Sequence, residues 1–344
     1  MVPTSRRVLR FTGERTLELH TEACPAPGPG QVLVQTVRSL ISTGTELTCF
    51  TRRFAPGTHW DNWVKYPFNT GYLNAGTVIA VGPEVTGWKV GDRITSREGH
   101  ASHVLVDVSS SGQRGLRTPE GVSDEAACWM GLGKIVQVGV RAAEQVLGDV
   151  VVVIGLGLLG QLAVQYARLN GASRVIGIDT ADLRLAQASA HGATDVIKDT
   201  AGNALERVRA IAAEHGIDGA DIVYDVTGHP AVLAQALPLA RKFGKVVLVG
   251  DPGDPSQQRL TSDVITRGVK IVAAHDCHPP DVPTPLCRWS AQQMNSAFLT
   301  WVARGDMQTT ELITHRFAPE QAAAAYELLD KRRDEAMGVV FTWA

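Results

Sequence analysis

The run Val151-Val152-Val153-Ile154-Gly155-Leu156-Gly157-Leu158-Leu159-Gly160 constrains this chain more than any other stretch. Four apolar residues predict a buried strand, three glycines follow at G-x-G-x-x-G spacing, and a helical pattern starts at once in Gln161-Leu162-Ala163-Val164-Gln165-Tyr166-Ala167. In such a turn the first glycine, Gly155, permits the tight reversal. Gly157 lets backbone approach a pyrophosphate, and Gly160 lets helix pack closely on strand. Leu156 and Leu158 complete the candidate contact set. The helix N-terminus offers free N–H groups and a partial positive charge to that anion. A second apolar strand, Arg174–Ile178, ends in Asp179, 19 residues past Gly160, close to where the fingerprint wants a carboxylate for a ribose hydroxyl. Such a carboxylate repels a 2′-phosphate, so NAD is expected over NADP. Arg184 is the opposing signal: it either accepts a 2′-phosphate or lies on a solvated helix face.

Around this motif the pattern alternates. Strands are expected at 174–178, 194–197, 220–224, 245–250 and 269–273, with helices around 183–190, 204–213 and 231–239 between them. That rhythm predicts a parallel, doubly wound sheet. Before it, short strands at 31–37, 76–81 and 101–106, separated by turns, predict a small β-barrel, and 124–143 reads as mostly helical. After it, helices at 289–304 and 319–331 and a strand at 338–343 are expected to return to the first domain. The predicted organisation is therefore α/β: residues 1–146 and 276–344 form the barrel domain and 147–275 the dinucleotide-binding domain.

Bulk properties narrow the partners. The formal charge of -2 on 344 residues argues against nucleic acid or an anionic membrane as a main partner. No apolar run approaches the ~20 residues of a membrane span, and the arginine-bearing first residues lead into no signal-peptide core. The five cysteines are scattered, with no C-x-x-C pair, so neither a disulfide framework nor a structural zinc is written here. A reducing cytoplasm fits.

The whole layout resembles the medium-chain dehydrogenase/reductase superfamily. The resemblance rests on the Pro/Gly-rich lead-in at 25–30, Gly71…Gly76…Val81-Gly82, Val90-Gly91-Asp92-Arg93, the glycine fingerprint, and the closing Gly338-Val339-Val340-Phe341. It implies a GroES-like β-barrel catalytic domain made of both chain ends, a central Rossmann domain, and a homodimer through the last Rossmann strand. It also implies that Thr227, Val249 and Gly250 flank a nicotinamide, although turn chemistry alone accounts for such glycines. Many members hold a catalytic zinc. Here the ligand positions read Ser42 (in Leu40-Ile41-Ser42), Tyr72 (in Gly71-Tyr72-Leu73) and, near the third, Gly131, none of which replaces thiolate or imidazole. No zinc is expected. The segments Ile41–Glu46 and Gly71-Tyr72 look most like the zinc-less branch that includes bacteriochlorophyllide hydroxyethyl dehydrogenase.

Without a metal, proton management falls to side chains. Thr45 matches the hydroxyl that zinc members place beside the substrate oxygen, or is a local backbone cap. Tyr72 points into the former metal site as a hydrogen-bond donor, or fills a void. Glu46 is a base, or a structural carboxylate paired with an Arg. Lys134 is a donor in the active site, or merely solvated. His275 beside Asp276 suggests a relay, yet adjacent residues on an extended chain point apart. His100 and His103 read as barrel-surface residues. Phe50, Phe54, Trp60, Trp63, Tyr66, Phe68 and Tyr72 form either a substrate wall or a self-anchored loop. The expected reaction is hydride transfer between a nicotinamide and a secondary alcohol or ketone on a bulky cyclic substrate. The alternatives are an NADPH-dependent reductase of an activated C=C bond, an epimerase using bound NAD, and a dinucleotide-sensing protein without turnover.

Overall fold

The computed structural model describes residues 2–109 and 114–343. The chain divides into two compact units. One holds the residues up to Arg53, His59–Leu132 and Ala291 onward; the other holds Phe54–Thr58 and Gly133–Ser290.

The N-terminal part opens with a hairpin, β1 (Ser5–Gly13) and β2 (Thr16–Ala23), which the turn-rich sequence did not single out. Strand β3 (Gln31–Leu40) follows, then helices α1 (Thr43–Thr51) and α2 (His59–Trp63). Strands β4 (Phe68–Asn69), β5 (Asn74–Val81), β6 (Arg93–Ser96), β7 (His103–Asp107) and β8 (Gly115–Arg117) come next. Strand β3 is the hub. It pairs antiparallel with β5 along most of its length and with β7 over Gln31–Gln35. Its inward residues Val32 and Val34 join Val8, Val78, Ile94, Val104 and Val106 in one closed apolar core. The segment expected as a turn around Thr45 is helical instead: α1 starts at Thr43 directly after Ser42 and carries Glu46 in its first turn, where a carboxylate suits the helix dipole.

Helices α3 (Asp124–Ala127) and α4 (Met130–Ala143) lead into the second unit. Its strands are β9 (Val150–Ile154), β10 (Arg174–Asp179), β11 (Asp195–Lys198), β12 (Ala220–Asp225), β13 (Ala240–Leu248) and β14 (Lys270–Ala273). Helices α5 (Leu158–Leu169), α6 (Asp182–His191), α7 (Leu205–Ala213), α8 (Val232–Ala236) and α9 (Asp263–Thr266) connect them. The six strands pair parallel in the order β11-β10-β9-β12-β13-β14. This is the doubly wound order in which the chain reverses direction beside β9. All five residues of β9 are buried, as a central parallel strand covered on both faces requires.

The tail contributes α10 (Ala291–Ala303), β15 (Ile313–Phe317), α11 (Ala322–Lys331) and β16 (Gly338–Thr342). Strand β16 pairs antiparallel with Leu40, Ser39 and Arg38 of β3, so the last strand closes the sheet begun by the third. The chain thus has a GroES-like β-barrel unit built from both ends and a central Rossmann unit. Among the described residues, no helix is long and apolar enough to cross a membrane.

Phe341 of β16 is fully buried, edge-on to His100 at 5.1 Å between ring centroids. Phe341→Ala is expected to cost about 3–5 kcal/mol in urea denaturation. Val90→Ala, at a largely exposed position of the same unit, should stay within about 0.5 kcal/mol.

Candidate active site

In the Rossmann unit the glycine turn joins β9 to α5. Gly155 has φ +86, a left-handed conformation that favours glycine. A Cβ on Gly160 would lie 2.0 Å from the Gly155 carbonyl oxygen, so only hydrogen fits there. At Gly157 a Cβ would meet nothing within 4 Å, which leaves open space in front of the α5 N-terminus. Closed packing at Gly160 beside open space at Gly157 fits a dinucleotide pyrophosphate. Leu156 and Leu158 are both buried, so their side chains anchor the turn and their main chain is the part available to an anion.

Asp179 at the end of β10 is nearly buried. Its Oδ1 accepts from the N–H groups of Thr180 (2.8 Å) and Ala181 (3.0 Å), and its Oδ2 accepts from Leu156 N–H at 2.7 Å. Arg184 Nη1 stands 3.6 Å from the same Oδ2. Gln161 Nε2 donates to the carbonyls of Leu156 and Arg184, both at 2.9 Å. The carboxylate therefore ties the glycine turn to the start of α6. A carboxylate offers about four acceptor directions, and these donors take most of them.

Thr227 donates through N–H (3.0 Å) and Oγ1 (2.7 Å) to Asp225 Oδ1, which fixes the loop after β12. Burial pushes the Asp225 carboxyl up against those two bonds. Val249 is almost buried, and a Cβ on Gly250 would collide with Gly228 N at 2.2 Å. Lys134 is not solvated: it is 7% exposed and bonds Asp276 Oδ1 at 2.6 Å and the Asp276 carbonyl at 3.0 Å. His275 opens a turn rather than continuing the extended chain expected, its carbonyl accepting from His278 N–H at 3.0 Å. Its Nδ1 faces Cys277 Sγ at 2.9 Å, and its Nε2 is 3.9 Å from Asp251.

In the barrel unit Ser42 Oγ and Tyr72 Oη share a hydrogen bond at 2.5 Å, and Thr45 Oγ1 lies 3.4 Å from the same phenol. The Arg97 guanidinium sits over the Tyr72 ring, 4.7 Å from its centroid. Burial pushes the Tyr72 phenol up, while Arg97, then Ser42 and Thr45, act in the other direction; the balance stays above the ordinary value.

Behind Ser42, Glu46 is 2% exposed. Its Oε1 accepts from Ser42 N–H at 2.7 Å. Its Oε2 accepts from Thr70 Oγ1 at 2.7 Å, His100 Nε2 at 3.0 Å and the Tyr326 hydroxyl. His100 Nδ1 meets Ser39 Oγ at 2.7 Å, and Trp343 Nε1 donates to that oxygen at 2.8 Å. Burial pushes the Glu46 carboxyl up, but His100 and the hydroxyl donors outweigh it and hold the group below its ordinary value. Burial and the Glu46 charge drive the Tyr326 phenol well up.

Two expectations are corrected. His100 is a buried partner of Glu46 rather than a barrel-surface residue. The carboxylate's partner is a histidine with two hydroxyls, not an arginine. Most of the aromatic segment anchors itself. Phe50 packs on Phe11 and Tyr326, Trp63 meets Phe68 edge-on at 5.1 Å, and Tyr66 donates to the Cys49 carbonyl at 2.7 Å. Arg97, Thr70 and Tyr326 were missed; Tyr326 lies 280 residues from Glu46.

The metal-ligand positions do not fit zinc. Two carry hydroxyls bonded to each other. At the third, Gly131, a Cβ would lie 2.6 Å from Leu73 Cδ2 and 2.8 Å from Arg97 Nη1, so those side-chain ends would have to shift to admit one. A tetrahedral zinc wants thiolate, imidazole or carboxylate donors, and among the described residues no group of three or more His, Cys, Asp or Glu could hold a metal.

Known families match both units. The alcohol dehydrogenase GroES-like domain family matches residues 28–127, and the zinc-binding dehydrogenase family matches residues 159–292. The chain belongs to the medium-chain dehydrogenase/reductase superfamily. It is 27% identical to an L-threonine 3-dehydrogenase of Symbiobacterium thermophilum, over 96% of this chain and 95% of that protein. It is also 27% identical to a D-guloside 3-dehydrogenase of Escherichia coli K12, over 80% and 78% respectively. Among solved structures, a putative zinc-binding dehydrogenase from Sinorhizobium meliloti 1021, bound to NADP, superposes with TM-score 0.81 at 19% identity, covering 99% of this chain and 100% of that one.

Gly160→Ala should unfold or destabilise the protein by about 1–3 kcal/mol. Gly157→Ala should leave stability within about 1 kcal/mol while weakening dinucleotide binding; denaturation and cofactor fluorescence separate the two.

Glu46 has a folded pKa below its unfolded value of 4.5, so its stabilisation is present above about pH 4.5 and is lost as pH falls through the folded value. Glu46→Gln should cost about 3 kcal/mol or more at pH 7. It should also flatten the loss of stability on acidification, measured by urea midpoints from pH 7 to 3.

Proposed function

We propose that this protein is a zinc-independent, NAD-dependent dehydrogenase acting on a secondary alcohol of a ring-bearing substrate, or on the matching ketone. The coarser activity is an oxidoreductase of CH–OH groups that uses a nicotinamide dinucleotide, as its dehydrogenase relatives are named. The nicotinamide, when bound, accepts or supplies the hydride. The observation that supports the finer reading is the bond between the hydroxyls of Ser42 and Tyr72, the residues at two positions where the resemblance would put metal ligands, with the Thr45 hydroxyl 3.4 Å from the phenol.

In this reading Tyr72 exchanges a proton with the substrate oxygen and Ser42 holds the phenol, with Thr45 as a second hydroxyl within reach. Glu46 grips the Ser42 main chain, so it is a positioning group, and its dense set of donors leaves it poorly suited as a base. Lys134, bound to Asp276, steadies the segment after the last strand and receives no proton step.

Gly155, Leu156, Gly157, Leu158 and Gly160 would receive the pyrophosphate, and Asp179 with its remaining acceptor direction would hold the ribose. Arg184, drawn beside Asp179, is held by that charge. Thr227, Val249 and Gly250 would flank the nicotinamide. A ring-bearing secondary alcohol is supported by the guloside-dehydrogenase relative and by exposed Trp63 at the edge of the aromatic cluster. The five free thiols suit a reducing cytoplasm, and β14, an edge strand with Ile271 partly exposed, suits pairing with a second copy.

Titration with NADH and NADPH, followed by cofactor fluorescence, tests the cofactor assignment. NADH is expected to bind more tightly; preference for NADPH would overturn the Asp179 assignment and turn the search towards ketones and enones. Against cyclic secondary alcohols and sugars with NAD, Tyr72→Phe is expected to lower kcat/KM by about 10²–10⁴-fold, with NADH affinity unchanged.

A further inference from the structure

Arg97 belongs to no motif and follows directly on β6. Its N–H donates to the Arg114 carbonyl at 3.0 Å, which fixes its main chain. Its guanidinium covers the face of the Tyr72 ring, and Nη1 reaches the Gly131 carbonyl at 3.4 Å. A Cβ on Gly131 would come within 2.8 Å of Nη1 and 3.1 Å of Cδ. The arginine therefore fills the volume that a side chain at position 131 would need. A permanent cation lies where the third metal ligand would project and against the residue that replaces the second.

A zinc ion helps alcohol chemistry by its charge, which eases loss of the alcohol proton and steadies the developing alkoxide. A guanidinium keeps its charge at any working pH, and with Arg97 half-buried its field at the ring is only partly screened by water. Of the neighbours that oppose burial at the Tyr72 phenol, Arg97 has the largest influence.

We propose that Arg97 is the positioning cation of this site, supplying through Tyr72 the electrostatic help that a metal supplies elsewhere in the family. The proposal rests on Tyr72 being the group that exchanges a proton with the substrate oxygen. In ketone reduction the carbonyl carbon gains a hydride from reduced nicotinamide, and the carbonyl oxygen gains the phenolic proton. The Tyr72 O–H bond breaks, and its electron pair stays on a phenolate beside Arg97 until water returns the proton. Alcohol oxidation runs the same transfers in reverse.

The test uses the full chain labelled with ¹³C at the tyrosine ζ carbons, with the Tyr72 resonance assigned by its loss in Tyr72→Phe. Arg97→Met is expected to move the Tyr72 titration midpoint upward, and Arg97→Lys to move it less. In turnover with NAD and the substrate found by screening, Arg97→Met should lower kcat by about 10²-fold with KM for NAD unchanged, and this loss should vanish in a Tyr72→Phe background. An unmoved midpoint in folded Arg97→Met, or in Arg97→Lys should the first variant not fold, overturns the proposal. A kcat loss that persists in Tyr72→Phe overturns it as well. A wild-type protein without turnover on any alcohol or ketone instead overturns the dehydrogenase reading, while a moved midpoint there still upholds the coupling of Arg97 to Tyr72.

Discussion

One buried carboxylate organises the barrel unit. Glu46 is removed from water, and a charge in that position is tolerated only when donors replace its hydration. It draws those donors from four places in the chain: the Ser42 main chain, Thr70 before β5, His100 after β6, and Tyr326 on α11. The start of α1, the entry to β5 and the returning tail are thereby fixed against one charge. Ser42 passes this hold on. Its N–H is held by Glu46 and its hydroxyl is bonded to Tyr72, so the buried carboxylate fixes the position of the Tyr72 phenol.

Where the resemblance would put metal ligands, Ser42 and Tyr72 carry hydroxyls bonded to each other, with Thr45 3.4 Å from the phenol and the Arg97 guanidinium over the ring. On the function proposed above, the hydroxyls would supply the orientation that coordination gives a metal site, and the guanidinium would supply the charge. Gly131 fits that arrangement, because a Cβ there would come 2.8 Å from Arg97 Nη1 and displace it.

What was legible in the sequence was local. The strand, glycine turn, helix and acid of the Rossmann unit lie within about thirty residues, and each residue's role follows from its neighbours, so the parallel sheet and its first loop could be read directly. The GroES-like unit was legible in outline through its turn residues and family resemblance, but its first hairpin and α1 were not. Thr43-Gly44-Thr45 carries weak helix formers, and the helix there is held through Glu46, which bonds locally to Ser42 N–H and at long range to Thr70, His100 and Tyr326. The site was least legible. Glu46 meets His100 across 54 residues and Tyr326 across 280, separations that no periodicity encodes. His100 read as a barrel-surface residue because no partner stands at ligand spacing from it, and nothing in the local sequence marks Arg97.

Asp179 shows how motif reading leaves a residue's task half described. A carboxylate at the end of the second Rossmann strand reads as a ribose contact, but here its two oxygens also bond three main-chain N–H groups from both sides of the cofactor turn. Turn stability therefore rests on this side chain, and on the proposed NAD assignment cofactor choice would rest on it too. Replacing it to admit a 2′-phosphate would remove the repulsion and also leave the Leu156, Thr180 and Ala181 N–H groups without their acceptor, at roughly 1–3 kcal/mol for each that stays buried and unpaired. On the proposed NAD assignment, that single change would therefore be a costly route to NADP. Arg184 stands beside the carboxylate at 3.6 Å and would meet a phosphate there only once the aspartate's charge is gone. Selection of an unphosphorylated ribose by Asp179 would then be tied to the packing of the turn itself, and not only to a charge presented at its rim.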